Sequence, residues 1–496
     1  MSGLRSADVV IVGSGSAGSV LAARLSENPT LRVILLEAGK DRSSNMFVRM
    51  PAGSFAMMGR PDFDWAYQTE PDPSAEGRTM GWSGGRMLGG SSAINGMIYV
   101  RGNRQDYERW VAAGATGWGW DAMLPFFLRA EAYRGEPSQW HGSSGPLPVG
   151  RANERHSLCD AVIGAFANNG VPHLDEYCAG DQFGVYDVIT TAVGGRRRSV
   201  AETYLKQARH RPNLEIVTSA LVDHVLIENG RATGVSILRG GRREEIRAGE
   251  TIVSAGALQS PTILMRSGIG PAGHLQDLGI SVMADLPVGQ NLQDHCGISV
   301  SKLVDVPTYN SPFGPWTIGK NVLRWMLTKQ GPMASAAVHV MAGLKSAPGC
   351  AEPDISVSLI PLAIDFHKGV PKMHDQPGIT LGGVCMRPDS RGEIRLRSRD
   401  PRAKPIIDHR LLAEADVRRL TSYARFVEQV FATEPLASHV IGNNFPGELP
   451  QSDDEWADLS VSSPGSVSTR SGLAAWAARM RLSIRACGSA ASATCV

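Results

Sequence analysis

The sequence predicts an α/β fold, α+β over the whole chain, and three observations near its start predict it. The run Val9-Val10-Ile11-Val12 has the continuous β-branched character of a strand buried on both faces. Gly13, Gly15 and Gly18 follow as G-x-G-x-x-G, and Val20, Leu21 and Leu25 then recur at helical spacing until Asn28-Pro29. A second apolar strand, Val33-Ile34-Leu35-Leu36, ends in Glu37, 19 residues after Gly18. Strand, glycine turn, helix and acid-tipped strand together read as a Rossmann-like nucleotide-binding unit.

Each part has a physical reason. Gly13 permits the tight turn, Gly15 lets backbone approach a pyrophosphate beside Ser14, and Gly18 lets the helix pack on the strand. The helix amino terminus offers free N–H groups and the positive end of its dipole to phosphate. Glu37 stands where a carboxylate accepts hydrogen bonds from an adenosine ribose. A ligand-free glycine turn has the same pattern, and spacing alone does not separate NAD from FAD. Glu37-Ala38-Gly39 directly after the second strand favours FAD.

Composition narrows the function classes. At 496 residues the chain has room for two to four lobes. Fifty basic and 48 acidic residues give a net charge of +2, which makes no electrostatic case for nucleic acid. The longest apolar runs fall far short of the roughly 20 residues of a membrane span, so no transmembrane segment is expected; peripheral association with a membrane stays open. The nucleotide motif starts so near Met1 that no signal peptide is expected. Seven cysteines without a C-x-x-C pair predict reduced thiols, a cytoplasmic setting and no metal site.

The stretch GWSGGRMLGGSSAINGMIYVRGNRQDYERW, carried by Gly85-Arg86, Leu88 to Ser92, Ile94-Asn95 and Tyr99 to Gly102, resembles the glucose–methanol–choline (GMC) family of flavin oxidoreductases. So do GALQSPTILMRSGIG (Gly256 to Gly270), GRRRSVAETYL, VGQNLQDH and RPDSRGEIRLRSRDPRAKPIID. Within the family the chain looks most like choline and aliphatic-alcohol dehydrogenases. The resemblance implies FAD as cofactor, a small alcohol as substrate and an electron acceptor it does not identify. By analogy Leu88, Gly90, Asn95, Gly96, Met97 and Ile98 line the flavin; as bare residues, the Gly-Ser loop is equally a plain turn. Ile94 occupies the position where some relatives carry a histidine bonded to flavin, so the cofactor is expected to be held non-covalently. The Val222 backbone is expected against the adenine, and Asp64-Trp65-Ala66-Tyr67 near the cofactor or in the core.

The same analogy places a discontinuous FAD-binding domain at 1–155 and 195–300, and a mainly substrate-binding domain at 300–450. DISVSLIPLA and GITLGGVCM are expected strands of its sheet; MASAAVHVMAGL at 333–344 is either cavity wall or core. Trp316, Trp325, Asp365 and Phe366 are candidates to hold a quaternary ammonium.

Alcohol oxidation needs a base for the hydroxyl proton, and imidazole titrates near working pH. The family supplies it from a carboxyl-terminal His-Pro-x-Gly-Thr-Cys-x-Met-Gly segment, which this chain lacks, so the catalytic residues are unknown. His295 and His339 are the substitutes within the chain, and both read better as structural. From Leu459 to Val496 there is no Asp or Glu, against four Arg, nine Ser and eight Ala. Ser468 to Trp476 admits a coding string that, read one base earlier, spells Phe-His-Pro-Val-Gly-Thr-Cys-Arg-Met. Residues 459–496 are therefore expected to be an aberrant, frameshifted tail in place of the catalytic segment. The readings left open are an FAD-dependent alcohol oxidoreductase, damaged in this copy; a non-catalytic flavin-binding remnant; and an NAD-dependent protein.

Overall fold

The computed structural model describes residues 5–152, 154–310, 314–365 and 372–462. Two sheets organise them. The first is six-stranded, built from β1 (Arg5–Val12), β2 (Val33–Leu36), β3 (Leu214–Val217), β4 (Leu221–Glu228), β5 (Arg231–Arg239) and β6 (Arg242–Val253) in the order β3-β2-β1-β6-β5-β4. Its β3-β2-β1-β6 half is parallel and β6-β5-β4 is an antiparallel meander. Val10, Ile11, Ile34 and Leu35 are fully buried, with Ile11 and Leu35 in one core cluster and Val10 and Ile34 in another. Burial on both faces is what turned these strands into unbroken apolar runs. Helix α1 (Ser16–Leu25) follows β1 and α2 (Gly256–Arg266) follows β6, so two helix amino termini meet at one edge of the sheet. The first helix stops at Leu25 on a Ser26 cap, ahead of the expected Asn28-Pro29.

The second sheet is five-stranded and antiparallel. It comprises β7 (Gly297–Val304), β8 (Val340–Leu344), β9 (Ile355–Ile360), β10 (Gly378–Cys385) and β11 (Val440–Phe445), in the order β8-β9-β10-β7-β11. Both strands expected within 354–386 are present. Between β7 and β8 lies α3 (Pro315–Thr328). Helix α4 (Glu414–Phe431) lies on the sheet through Leu420, Tyr423, Ala424, Val427 and Phe431, and the Tyr423 hydroxyl donates to the Leu381 carbonyl at 2.8 Å. Gly383 on β10 makes room for that ring; a side chain there would stand 2.3 Å from it.

The expected aberrant tail begins inside α5 (Asp453–Ser462). Leu459 and Val461 pack against the larger core, and the Arg78 guanidinium donates to the Val461 and Ser462 carbonyls. Residues 463–496, with the rest of the tail, lie outside the described residues, as does Phe366. All five described cysteines are free thiols. No helix among the described residues is long and apolar enough to cross a membrane.

Candidate active site

The dinucleotide motif assembles at the edge where β1, β2 and β6 end, the position at which open α/β sheets bind ligands. Each glycine has a distinct environment. Gly13 turns with φ +96°, and a side chain there would stand 2.7 Å from the Ser254 carbonyl oxygen. One on Gly18 would stand 1.9 Å from the Gly13 oxygen and 2.6 Å from the Ser254 hydroxyl, so helix, turn and β6 exit pack backbone to backbone. Gly15 caps α1 with φ −67°, and a side chain there would meet nothing within 4 Å. Two glycines are needed for packing; the third faces open space at a helix amino terminus, where first-turn N–H groups lack intrahelical partners.

Glu37 is buried at the tip of β2. Its carboxylate accepts from the Ser14 hydroxyl at 2.6 Å, from the Ser14 N–H at 3.2 Å and from the Gly39 N–H at 2.7 Å. Burial raises its pKa, while the Ser14 and Gly39 hydrogen bonds and the nearby Arg86 charge pull the other way. Ala38 and Gly39 open onto a cavity of about 760 Å³, also lined by Ser219 and Leu221 and by the cations Lys40, Arg86 and Arg243. Val222 is one residue further along β4; its side chain is buried in the sheet core, as a strand valine's should be.

The second glycine loop, 75 residues along the chain, lies against the first. The Gly89 N–H donates to the Ser14 carbonyl at 3.1 Å, and Gly90 backs onto Gly15. Leu88 is buried with Val200 and Ala201, and Ile94 with Met87 and Phe63. Asn95 is exposed, Gly96 and Ile98 are half-buried, and Met97 is buried with φ +64°. Trp65 and Tyr67 stack at 5.9 Å and, with Trp82, line a cleft of about 130 Å³ shared with Gly84, Gly85, Ala255 to Leu258 and Leu292 to Asp294. Arg86 lies over the Trp65 ring at 4.8 Å.

Sequence reasoning missed Arg197. Its buried guanidinium donates to the Asn95 carbonyl at 2.7 Å, to Asn95 Oδ1 at 2.9 Å and to the Ser54 hydroxyl. Burial lowers its pKa to about 9, so it stays charged at neutral pH. It fixes the Asn95 loop from behind. Only its place in GRRRSVAETYL hinted at it, because the contact spans 102 residues.

The two candidate bases behave differently. His339 is buried; its Nδ1 accepts from the His156 N–H at 3.1 Å, and Nε2 faces the Tyr309 and Ser335 hydroxyls at 3.2 and 3.3 Å. Burial lowers its pKa to about 4, so it is a neutral structural histidine. His295 is half-buried and its Nδ1 donates to the Cys385 carbonyl at 2.7 Å, which leaves Nε2 as the acceptor. Of the ammonium-binding candidates, the two described tryptophans do not converge. Trp325 is buried and donates to the Gly195 carbonyl at 2.7 Å, whereas Trp316 projects into solvent from the opposite side of α3. Of 333–344, Val340 to Leu344 form β8 in the core, and Val338 and Met341 pack in a cluster that includes Ile98.

A family model described as GMC oxidoreductase, amino-terminal part, matches residues 7–297, and its carboxyl-terminal counterpart matches 388–490. The chain belongs to the GMC oxidoreductase family. Oxygen-dependent choline dehydrogenases of Sinorhizobium medicae and Rhizobium johnstonii are each 39% identical over 454 residues, which is 90% of this chain and 82% of theirs. Pyridoxine 4-oxidase from Mesorbium loti superposes with a TM-score of 0.83 at 32% identity, over 92% of this chain and 86% of that one. A formate oxidase of Aspergillus oryzae, 24% identical with a TM-score of 0.85 over 92% and 87% of the two chains, shares the fold.

As a GMC oxidoreductase the chain is an FAD-dependent flavoenzyme of the class acting on CH–OH donors. The residues present fit that cofactor. Open space over Gly15 at a helix amino terminus suits a pyrophosphate, and the cation-rich cavity beside Ala38 suits the nucleotide end.

Proposed function

We propose that the intact form of this protein oxidises a primary alcohol, choline or an aliphatic alcohol, to the aldehyde with non-covalent FAD in the cytoplasm. The observation that carries the reading is the contact of the 88–91 loop with the Gly13–Gly15 turn beside buried Glu37, which makes one continuous cradle from two motifs. Gly13, Ser14, Gly15 and Gly18 would hold the pyrophosphate, Glu37 and Ala38 the ribose, and the Val222 backbone the adenine. Leu88, Gly90, Asn95, Gly96, Met97 and Ile98 would line the flavin. Ile94 offers no nucleophile for a covalent link.

Bound FAD supplies the hydride acceptor. The chain must remove the hydroxyl proton as the C–H hydride leaves, keep the alcohol carbon aligned and exclude water. His339 is neutral and fully engaged, which disfavours it as the proton acceptor. The sequence as it stands does not spell the family's carboxyl-terminal histidine segment, so we read the chain as a damaged copy whose activity is near background. The family alternative is a flavin-binding remnant without chemistry. The choline-dehydrogenase relatives favour the enzyme reading for the ancestral frame. Acid denaturation of purified protein should release FAD. Dye-coupled assays with choline and linear alcohols, on this chain and on one with the shifted frame restored, then separate enzyme from remnant. No turnover by the restored chain on any alcohol would overturn the proposal.

A further inference from the structure

Helix α3 (Pro315–Thr328) is apolar on the side that faces solvent. Helical geometry sets Ile318, Val322 and Trp325 on one side, and Trp316, Leu323 and Leu327 on the other. The inner side is packed: Trp325 is buried with Met50 and Ala334, and Val322 lies against them. The outer side is bare. Trp316 is 86% exposed, Leu327 76% and Leu323 56%. Of the twelve large apolar side chains exposed among the described residues, five lie on this one helix, Met326 and the partly exposed Ile318 of the inner side being the other two. A surface helix ordinarily turns polar residues outward, so an apolar outer face marks a contact with something apolar.

Charge identifies the partner. The helix carries no Asp or Glu. Lys320 and Arg324 flank the outer stripe on one side, and Lys329 closes the carboxyl end, its ammonium donating to the Met326 carbonyl at 2.7 Å. Exposed Arg196 sits on the hairpin that receives Trp325, and burial, with a smaller contribution from the Arg196 charge, lowers the pKa of Lys329. The acid facing this group is Glu154, which pairs with Arg324 at 3.4 Å and accepts from the Gly331 N–H at 2.6 Å. Tryptophan at one end, leucines along the middle and basic residues beside them suit a helix lying in the headgroup plane of an anionic bilayer, sunk by about 5–10 Å. Fourteen residues span only about 21 Å, too short to cross. A second copy docked through the same stripe would bring two sets of Lys320 and Arg324 together; anionic headgroups neutralise them instead.

We propose that α3 docks this protein on an anionic lipid bilayer, with Trp316, Leu323 and Leu327 entering the interface and Lys320 and Arg324 against the headgroups. The test is sedimentation of the full chain with vesicles of phosphatidylcholine plus phosphatidylglycerol, beside phosphatidylcholine alone and a spin without lipid. At least ~10-fold more protein should pellet with the anionic vesicles, and high salt should release much of it. Leu323→Asp combined with Leu327→Asp should abolish binding with the circular dichroism spectrum unchanged, and Lys320→Glu should remove the preference for anionic lipid. Trp316→Ser, a single outward change, serves if the double variant misfolds. Wild-type protein left in the supernatant with both vesicles would overturn the proposal. So would light scattering that shows a dimer in the wild type and a monomer in Leu323→Asp, since a second copy would then cover the face.

Discussion

Gly90 rests on Gly15: a side chain on Gly90 would stand 2.6 Å from the Gly15 Cα. That contact joins the loop of the long family signature to the dinucleotide turn, so neither moves without the other. The two glycines nevertheless differ in what a methyl group would do. Gly15→Ala should leave the apoprotein folded, with a melting temperature near wild type, because φ −67° and open space accommodate Ala. It should lose flavin on gel filtration. Gly90→Ala meets backbone at φ +52° and should lower both melting temperature and flavin content. Equal flavin in wild type and Gly15→Ala would remove the pyrophosphate from this turn.

Glu37→Ala should weaken FAD retention less than Gly15→Ala does. It removes charged hydrogen bonds worth about 1.5–3 kcal/mol, roughly 10- to 100-fold in affinity, and because the carboxylate also holds the Ser14 hydroxyl and the Ser14 and Gly39 N–H groups, the melting temperature should fall with it. Titrating FAD into apoprotein by fluorescence quenching measures it.

Arg197→Met should displace the Asn95 loop. The substitution removes the charge-assisted hydrogen bonds from the guanidinium to Asn95, worth about 1.5–3 kcal/mol in all, and leaves the two Asn95 oxygens held only by the Ser54 hydroxyl on the carbonyl and the Met97 N–H on Oδ1. Lower flavin content and an altered bound-flavin spectrum are expected, and Arg197→Lys should recover part of each.

Stability should fall on the alkaline side through His141. Its Nδ1 lies 3.1 Å from Glu131 and its Nε2 3.0 Å from Glu176, and these carboxylates raise its pKa from 6.5 to about 9. A raised histidine pKa stabilises fully below about 6.5, the unfolded value, and that contribution is lost as pH rises through about 9. Glu131 and Glu176 are lowered, each by its hydrogen bond to His141, so their contribution is present above the ordinary carboxylate range and lost in acid. The melting temperature should drop between pH 7 and about 9.5, and His141→Gln should flatten that slope.

Restoring the reading frame from near Leu459 onward should raise alcohol dehydrogenase activity by at least about 10²-fold, the smaller end of what a general base contributes. Sequencing the coding DNA checks the premise, and comparable specific activity from the two chains would show that the tail as it stands suffices.

The sequence by itself determined the nucleotide half of this protein. Val9 to Val12, the three glycines and Glu37 lie within one strand–turn–helix–strand unit, where spacing along the chain is spacing in space, and β2 begins and ends where its apolar run does. The long signatures extended that to a family, and through that resemblance to the strands at 355–360 and 378–385. Tertiary structure alone decided the rest. That Gly90 touches Gly15, that Arg197 holds Asn95, that the Trp325 face of α3 is buried while the Trp316 face is bare, and that His339 is walled in by His156 and Tyr309 all depend on contacts between distant segments. Periodicity reports which way a side chain faces its own element; only packing fixes what stands on the other side, because burial and charge act through space and not along the chain.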